Sequence, residues 1–161
     1  MNESEIKKIV QDTLSKIKTD KSAMTLALAE RIANAVLEEA KRTGVKAVVC
    51  ISDAAGNPKL VKSMDDAYIA SYDVAVNKAF TVVALKMATI DLKPLAQPGE
   101  SLYGIQFTNN GKIVIFGGGD PLKNQDGKII GGLGVSGGSE EQDTALAEYG
   151  KEVLKEVISW L

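Results

Sequence analysis

Apolar positions along the chain first recur with helical spacing. Ile6, Ile9, Val10, Leu14 and Ile17 form one stripe over residues 4–18, with Glu3, Lys7, Lys8, Asp12 and Lys16 on the other side. Ser4 is a suitable cap, and Thr19-Asp20-Lys21-Ser22 is a polar break before the next helix. From Met24 to Thr43 the spacing of Leu26, Leu28, Ile32, Ala33, Val36 and Leu37 predicts a second helix, which Gly44 ends. The period then changes. Lys46 to Ser52 is a β-branched run, Asp53-Ala54-Ala55-Gly56-Asn57-Pro58 has turn chemistry, and Lys59 to Lys62 resumes a strand, so residues 46–62 read as a hairpin.

Ala67 to Met87 returns to helical spacing through Ile69, Val74, Ala75, Ala79, Phe80, Val83 and Leu85, and a loop with Pro94, Pro98 and Gly99 follows. Strands are expected at Lys112 to Phe116 and Lys128 to Val135. Between them lie Gly117-Gly118-Gly119, Pro121 and the turn Asn124-Gln125-Asp126-Gly127. The last helix, from 139 to 160, presents Ala145, Leu146, Val153, Leu154, Val157 and Ile158, and Ser139 with Gln142 three residues on has the form of a capping box. Hairpin strands with helices before, between and after them predict an α+β fold, an antiparallel sheet flanked by helices. Residues 1–20 form an amphipathic helix and linker, and residues 21–161 form one domain.

Composition narrows the chemistry. Of 161 residues, 45% are hydrophobic and 25% charged, enough for one core. Nineteen Lys and Arg stand against twenty-one Asp and Glu, with no basic stripe interleaved with aromatics, so nucleic acid is not an expected partner. The acidic start and the lack of any apolar run approaching ~18 residues argue against a signal peptide or membrane span and set a cytoplasmic expectation. The single cysteine, Cys50, lies in an apolar run and reads as a buried hydrophobe. There is no histidine, which excludes a Ser-His-Asp triad, a His-based zinc site and a proximal-His haem.

The glycines carry most of the remaining signal. Gly117 to Gly119 form one cluster and Gly131 to Gly138 a second that runs straight into the last helix, whose start offers unpaired N–H groups to an anion or carboxylate. Tight turns and close strand–helix packing account for the same glycines. Asp143, with Glu140 and Glu141, suits the helix dipole. Lys78 reads as a snorkelling lysine or a ligand-facing cation. Tyr103 and Phe107 suit either the wall of a pocket or the core.

Several of these residues together resemble one family. Ser52-Asp53-x-x-Gly56, Ala75-x-x-Lys78-Ala79, Phe116-Gly117-Gly118-Gly119-x-Pro121-Leu122, Gly127, Ile130-Gly131, Gly134-Val135-Ser136-Gly137-Gly138 and Glu141-Gln142-Asp143 look like the GlcG/HbpS/PduO-C-terminal family over residues 24–161. The resemblance implies a profilin-like sheet, homo-oligomers and, in some members, binding of haem or corrinoid-related ligands. If a pocket forms, the glycine loops, the lysine and the aromatic wall set its expected residues as Lys78, Tyr103, Gly117, Gly118, Gly119, Ser136, Gly137 and Gly138, at a subunit boundary. Haem-binding members can use a histidine near the domain start, which this chain lacks, so haem or cobalamin would be held by Met, Cys, Tyr, Lys or apolar contacts. The adenosyltransferase activity associated with the PduO name belongs to a separate helical domain and is not expected here.

The first helix resembles the encapsulation peptides of bacterial microcompartment cargo. That likeness makes a shell protein, met through residues 1–18, an expected partner and the microcompartment lumen an expected location. Packing on its own domain or on a neighbouring subunit is the alternative. Three function classes stay open: a tetrapyrrole-binding or accessory module, an enzyme acting on a small hydroxy acid or aldehyde, and a structural cargo protein. No metal site and no catalytic set is assigned.

Overall fold

The computed structural model describes residues 4–7 and 23–159. Residues 4–7 are helical. Of the expected N-terminal stripe, Ile6 is 45% exposed, while Ile9, Val10, Leu14 and Ile17 lie outside the described residues.

The expected alternation of helices and hairpins is present. Helix α1 (Leu26–Arg42) leads to strands β1 (Val48–Asp53) and β2 (Pro58–Ser63), and helix α2 (Ile69–Ala84) follows. After it come a short helix α3 (Thr89–Leu95), strands β3 (Gly119–Lys123) and β4 (Ile129–Ser136), and helix α4 (Glu140–Ser159). The four strands form one antiparallel sheet in the order β2-β1-β4-β3, so the α+β reading holds.

The central strands explain the unbroken apolar run at β1, because helices cover both faces of the sheet. Val49 and Ile51 point into the larger core with Ile32, Val36, Leu133, Leu146 and Leu154, between the sheet and helices α1 and α4. Val48 and Cys50 point the other way, onto Ala75 and Ala79 of α2. Both faces are dry, so strict polar alternation is lost.

Glycine sets how closely the helices approach. A Cβ on Gly134 would collide with the Ala75 carbonyl, and one on Gly132 with the Ala79 carbonyl. On the opposite face a Cβ on Gly150 would sit 2.5 Å from Leu133 Cδ2. The buried stripe of α4 accordingly runs through Leu146, Ala147, Gly150 and Leu154, and not through the predicted Ala145, which is exposed.

Two further expectations need correction. The strand expected at 112–116 is irregular, and the strand in that part of the chain is Gly119–Lys123, which contains Pro121. Proline is tolerated there because β3 is an edge strand, with no neighbour on its far side to receive an N–H. The loop expected around Pro94 holds the seven-residue helix α3, with Pro94 in its last turn. The reciprocal capping box of α4 is formed: Ser139 N donates to Gln142 Oε1 at 2.9 Å and Gln142 N to Ser139 Oγ at 3.3 Å.

Candidate functional site: a self-filled glycine junction and a lysine-rimmed cleft

Five of the predicted site residues meet where β3, β4 and the start of α4 converge. Lys78 projects from α2 into this junction and is fully buried, with 0% exposure. Its Nζ donates to the Val135 carbonyl at 2.7 Å and to Asp143 Oδ2 at 3.0 Å, and lies 4.9 Å from the centre of the Phe116 ring. Asp143 completes the link by accepting the Gly138 N–H on Oδ1 at 2.9 Å. Burial pushes the Lys78 ammonium below its ordinary pKa and the Asp143 carboxyl above its own, because lost hydration opposes both charges.

The glycines are shaped around this pair. Gly118 has φ +108, and a Cβ there would lie 2.6 Å from Lys78 Nζ and 2.7 Å from Asp143 Cβ. Gly119 donates to Thr89 Oγ1 at 2.9 Å, and Gly117 donates to Glu140 Oε1 at 3.2 Å. A hydrogen bond from Lys93 holds the Glu140 carboxyl below its ordinary pKa. The anions held by the N–H groups of Gly117 and Gly138 are thus the protein's own Glu140 and Asp143, and Lys78 is an internal tie.

Several large apolar side chains near the junction are exposed, with Asp65, Asp66 and Asp73 exposed among them. Ser136 donates to Ser71 Oγ at 3.1 Å, which fastens the start of α2 to the end of β4. The residues around Ser71 point outward: Ile69 is 97% exposed, Tyr68 73% and Tyr72 55%. Phe116, over Lys78, is 41% exposed. Gly137 has φ +154 and packs against the backbone of Lys46 and Ala47. Tyr103 and Phe107 belong to the core in neither case, since both stand exposed on the loop after α3.

The structure adds a region that sequence reading passed over. A cleft of about 320 Å³ opens between the turn after α2, the edge strand β3 and the outer half of α4. It is lined by Lys86, Met87, Ala88, Asp91, Asp120, Pro121, Lys123, Lys151, Leu154 and Lys155. A second cleft, of about 410 Å³, shares Lys86 and Lys123 with it and adds Lys128. In the wall, nearly buried Asp120 accepts from Lys151 Nζ at 2.9 Å. Burial raises the Asp120 carboxyl above its ordinary value against the opposing pull of Lys151. The spacing of Lys151 and Lys155 placed both on one helical face, but nothing local tied them to Lys86 or Lys123.

Cys50 is not part of a site. It is wholly buried, and burial pushes its thiol up to about 12. Among the described residues no group of His, Cys, Asp and Glu is placed to hold a metal ion, and no helix is long and apolar enough to cross a membrane.

Comparisons with known proteins agree with this architecture. The family model described as haem degrading protein HbpS-like matches residues 24–152. A 15.0 kDa protein encoded in the dhaT-dhaS intergenic region of Citrobacter freundii is 44% identical over 136 residues, covering 84% of this chain and 95% of that protein. The corrinoid adenosyltransferase PduO of Salmonella typhimurium is 45% identical over 118 residues. That match takes in 73% of this chain but 35% of PduO. The crystal structure of a PduOC:haem complex superposes with a TM-score of 0.77 at 40% identity, covering 81% of this chain and 94% of that one. The chain therefore belongs to the HbpS-like family.

Proposed function

We propose that this protein is a tetrapyrrole-binding module, with haem as the principal ligand, serving as an accessory protein rather than as an adenosyltransferase. The observation that carries the reading is the match in fold and sequence to PduOC, whose crystal structure is of a haem complex. The apolar surface of Tyr68, Ile69, Tyr72 and Phe116 beside Ser136, Gly137 and Gly138 supports it, since a planar macrocycle needs exposed apolar area. The adenosyltransferase match spans 35% of that enzyme, so its activity is not carried over.

Haem fits this face only with an unusual donor. Lys78 is spent on Asp143 and Cys50 is sealed in the core. Among the described residues the donors exposed here are the phenols of Tyr68 and Tyr72, and tyrosinate is a known axial ligand of haem iron. Ile69 and Phe116 would pack against the ring. Haem when bound would supply a redox-active iron; the chain's contribution is the apolar seat and the oxygen donor.

Ile69 and Tyr68 stand largely exposed in one copy, which fits cover by a second copy, and a homo-oligomer is part of the proposal. So is the role of residues 1–18, through Ile6, Ile9, Val10, Leu14 and Ile17, as an address for a microcompartment shell protein, with the lumen as the location. Titration with haemin, followed by the Soret band, tests the function. Saturable binding with a tyrosinate-type spectrum, lost in Tyr68→Phe/Tyr72→Phe, is expected. Absence of saturable binding by an oligomeric, folded preparation would remove the reading, and cobalamin titrated alongside reports on the corrinoid alternative.

A further inference from the structure

The two clefts that share Lys86 and Lys123 stand apart from the apolar face assigned to the tetrapyrrole, and their charge is not internally balanced. Of the lysines around the first cleft, Lys151 is matched by Asp120 at 2.9 Å and Lys155 by Glu152 at 2.6 Å. Lys86 and Lys123, together with Lys128 of the second cleft, have no carboxylate within ion-pair distance among the described residues. Two of these unmatched ammonium groups border both clefts, against one unmatched carboxylate, Asp91, in the first, whose apolar lining is Met87, Ala88, Pro121 and Leu154.

The backbone at Lys86 adds a second, independent observation. Lys86 sits just past the C-terminus of α2 with φ +57, the left-handed position that helix ends usually give to glycine. A lysine there carries a conformational cost that glycine would avoid. Lys86 holds this backbone position while lining both clefts, which Lys123 also lines.

We propose that this cleft binds a small phosphorylated molecule: Lys86 and Lys123 hold its phosphate dianion, and its organic part rests on Met87, Ala88, Pro121 and Leu154. Lysine favours phosphate here over carboxylate. Planar carboxylates are best met by the guanidinium fork, whereas compact ammonium groups act as point charges toward a tetrahedral dianion. Both arginines of the chain, Arg31 and Arg42, lie on α1, away from the cleft. Volumes of about 320 and 410 Å³ are within the range of about 300–1,000 Å³ of small-molecule sites.

The test uses the full chain and calorimetric titration at low ionic strength with phenyl phosphate, inorganic phosphate and benzoate. Phenyl phosphate is expected to bind more tightly than inorganic phosphate, because it uses the floor, and more tightly than benzoate. Lys86→Gly should weaken phenyl phosphate binding by about tenfold, the loss of one charged contact, while leaving thermal stability equal or higher because the left-handed position is relieved. Lys86→Gly/Lys123→Gln should weaken it further. Lys59→Gln, on the far edge strand β2, removes a charge elsewhere and should leave binding unchanged.

Equal affinity in wild type and Lys86→Gly/Lys123→Gln, benzoate binding as well as phenyl phosphate, or no binding of any phosphate would each overturn the proposal. Haemin titration of the double variant keeps it separate from the tetrapyrrole reading. Unchanged haemin affinity is expected, and a parallel loss would assign the lysines to the tetrapyrrole and overturn a phosphate site.

Discussion

Removing one partner of the Lys78–Asp143 pair tests whether the glycine junction is an internal structural tie. In Asp143→Ala the Lys78 ammonium, with 0% exposure, keeps only the Val135 carbonyl and the Phe116 ring, and Gly138 loses its acceptor. Leaving a buried charge without its counter-charge costs about 3–5 kcal/mol. Lys78→Met leaves Asp143, with 5% side-chain exposure, facing only the backbone N–H groups of Gly137 and Gly138 and should cost a similar amount. The double variant Lys78→Met/Asp143→Ala leaves no charge behind. It forfeits the bonds to Val135 O and Gly138 N, at about 1 kcal/mol each, so its loss should be about 1–3 kcal/mol, well below the sum of the single changes.

Domains are stable by only about 5–15 kcal/mol, so either single change would consume much of that margin. Urea unfolding followed by far-ultraviolet circular dichroism measures each term, and the cycle isolates the coupling. Single losses under about 1 kcal/mol that simply add in the double variant would refute the reasoning. They would mean that water or another group hydrates Lys78 in solution.

Three further outcomes are expected. Gly134→Ala should destabilise by about 3 kcal/mol or more, or fail to fold, because its Cβ enters the Ala75 carbonyl and α2 must lift from the sheet; an unchanged urea midpoint would count against the close approach. Asp120 has a raised folded pKa, so the folded state holds the extra proton just above pH ~4, and this contribution to stability is full below the unfolded value and fades as pH rises through the folded one. Wild type should therefore lose stability relative to Asp120→Asn across that window, and parallel pH profiles would show no shift. Deleting residues 1–20 should leave the melting temperature within a few degrees while a reporter fused to 1–20 collects in microcompartments; a large stability loss with a diffuse reporter would place the segment on its own domain.

Much of the fold was legible because its signals are local. Helical spacing at Ile32, Ala33 and Val36, the turn chemistry of 53–58, and the Ser139–Gln142 cap each depend on residues a few positions apart, and each formed as read. The strand misplaced at 112–116 shows the limit. Lys112 to Phe116 has the better β composition, yet Gly119–Lys123 takes the edge, because Gly119 and its neighbours pair with the glycines of β4 and fit closely under Val82 and Thr89. Tertiary fit overrode propensity there. The α4 stripe shifted from Ala145 to Ala147 and Gly150 for a similar reason: Gly150 is where Leu133 and Val36 need room.

At the site, the sequence by itself determined which chemistries are available: no histidine, one core cysteine, a glycine-rich junction and a lysine on the central helix. It could not decide what Lys78 touches, since Asp143 lies 65 residues away and the two meet only when α2 and the start of α4 close on β4. The same closure fills the junction with the protein's own carboxylates. Nor could it assemble Lys86, Lys123 and Lys151, which come from a helix end, an edge strand and the last helix. A residue's type is written in the chain, but its charge state and its partner depend on burial and distance, which arise only when distant segments pack.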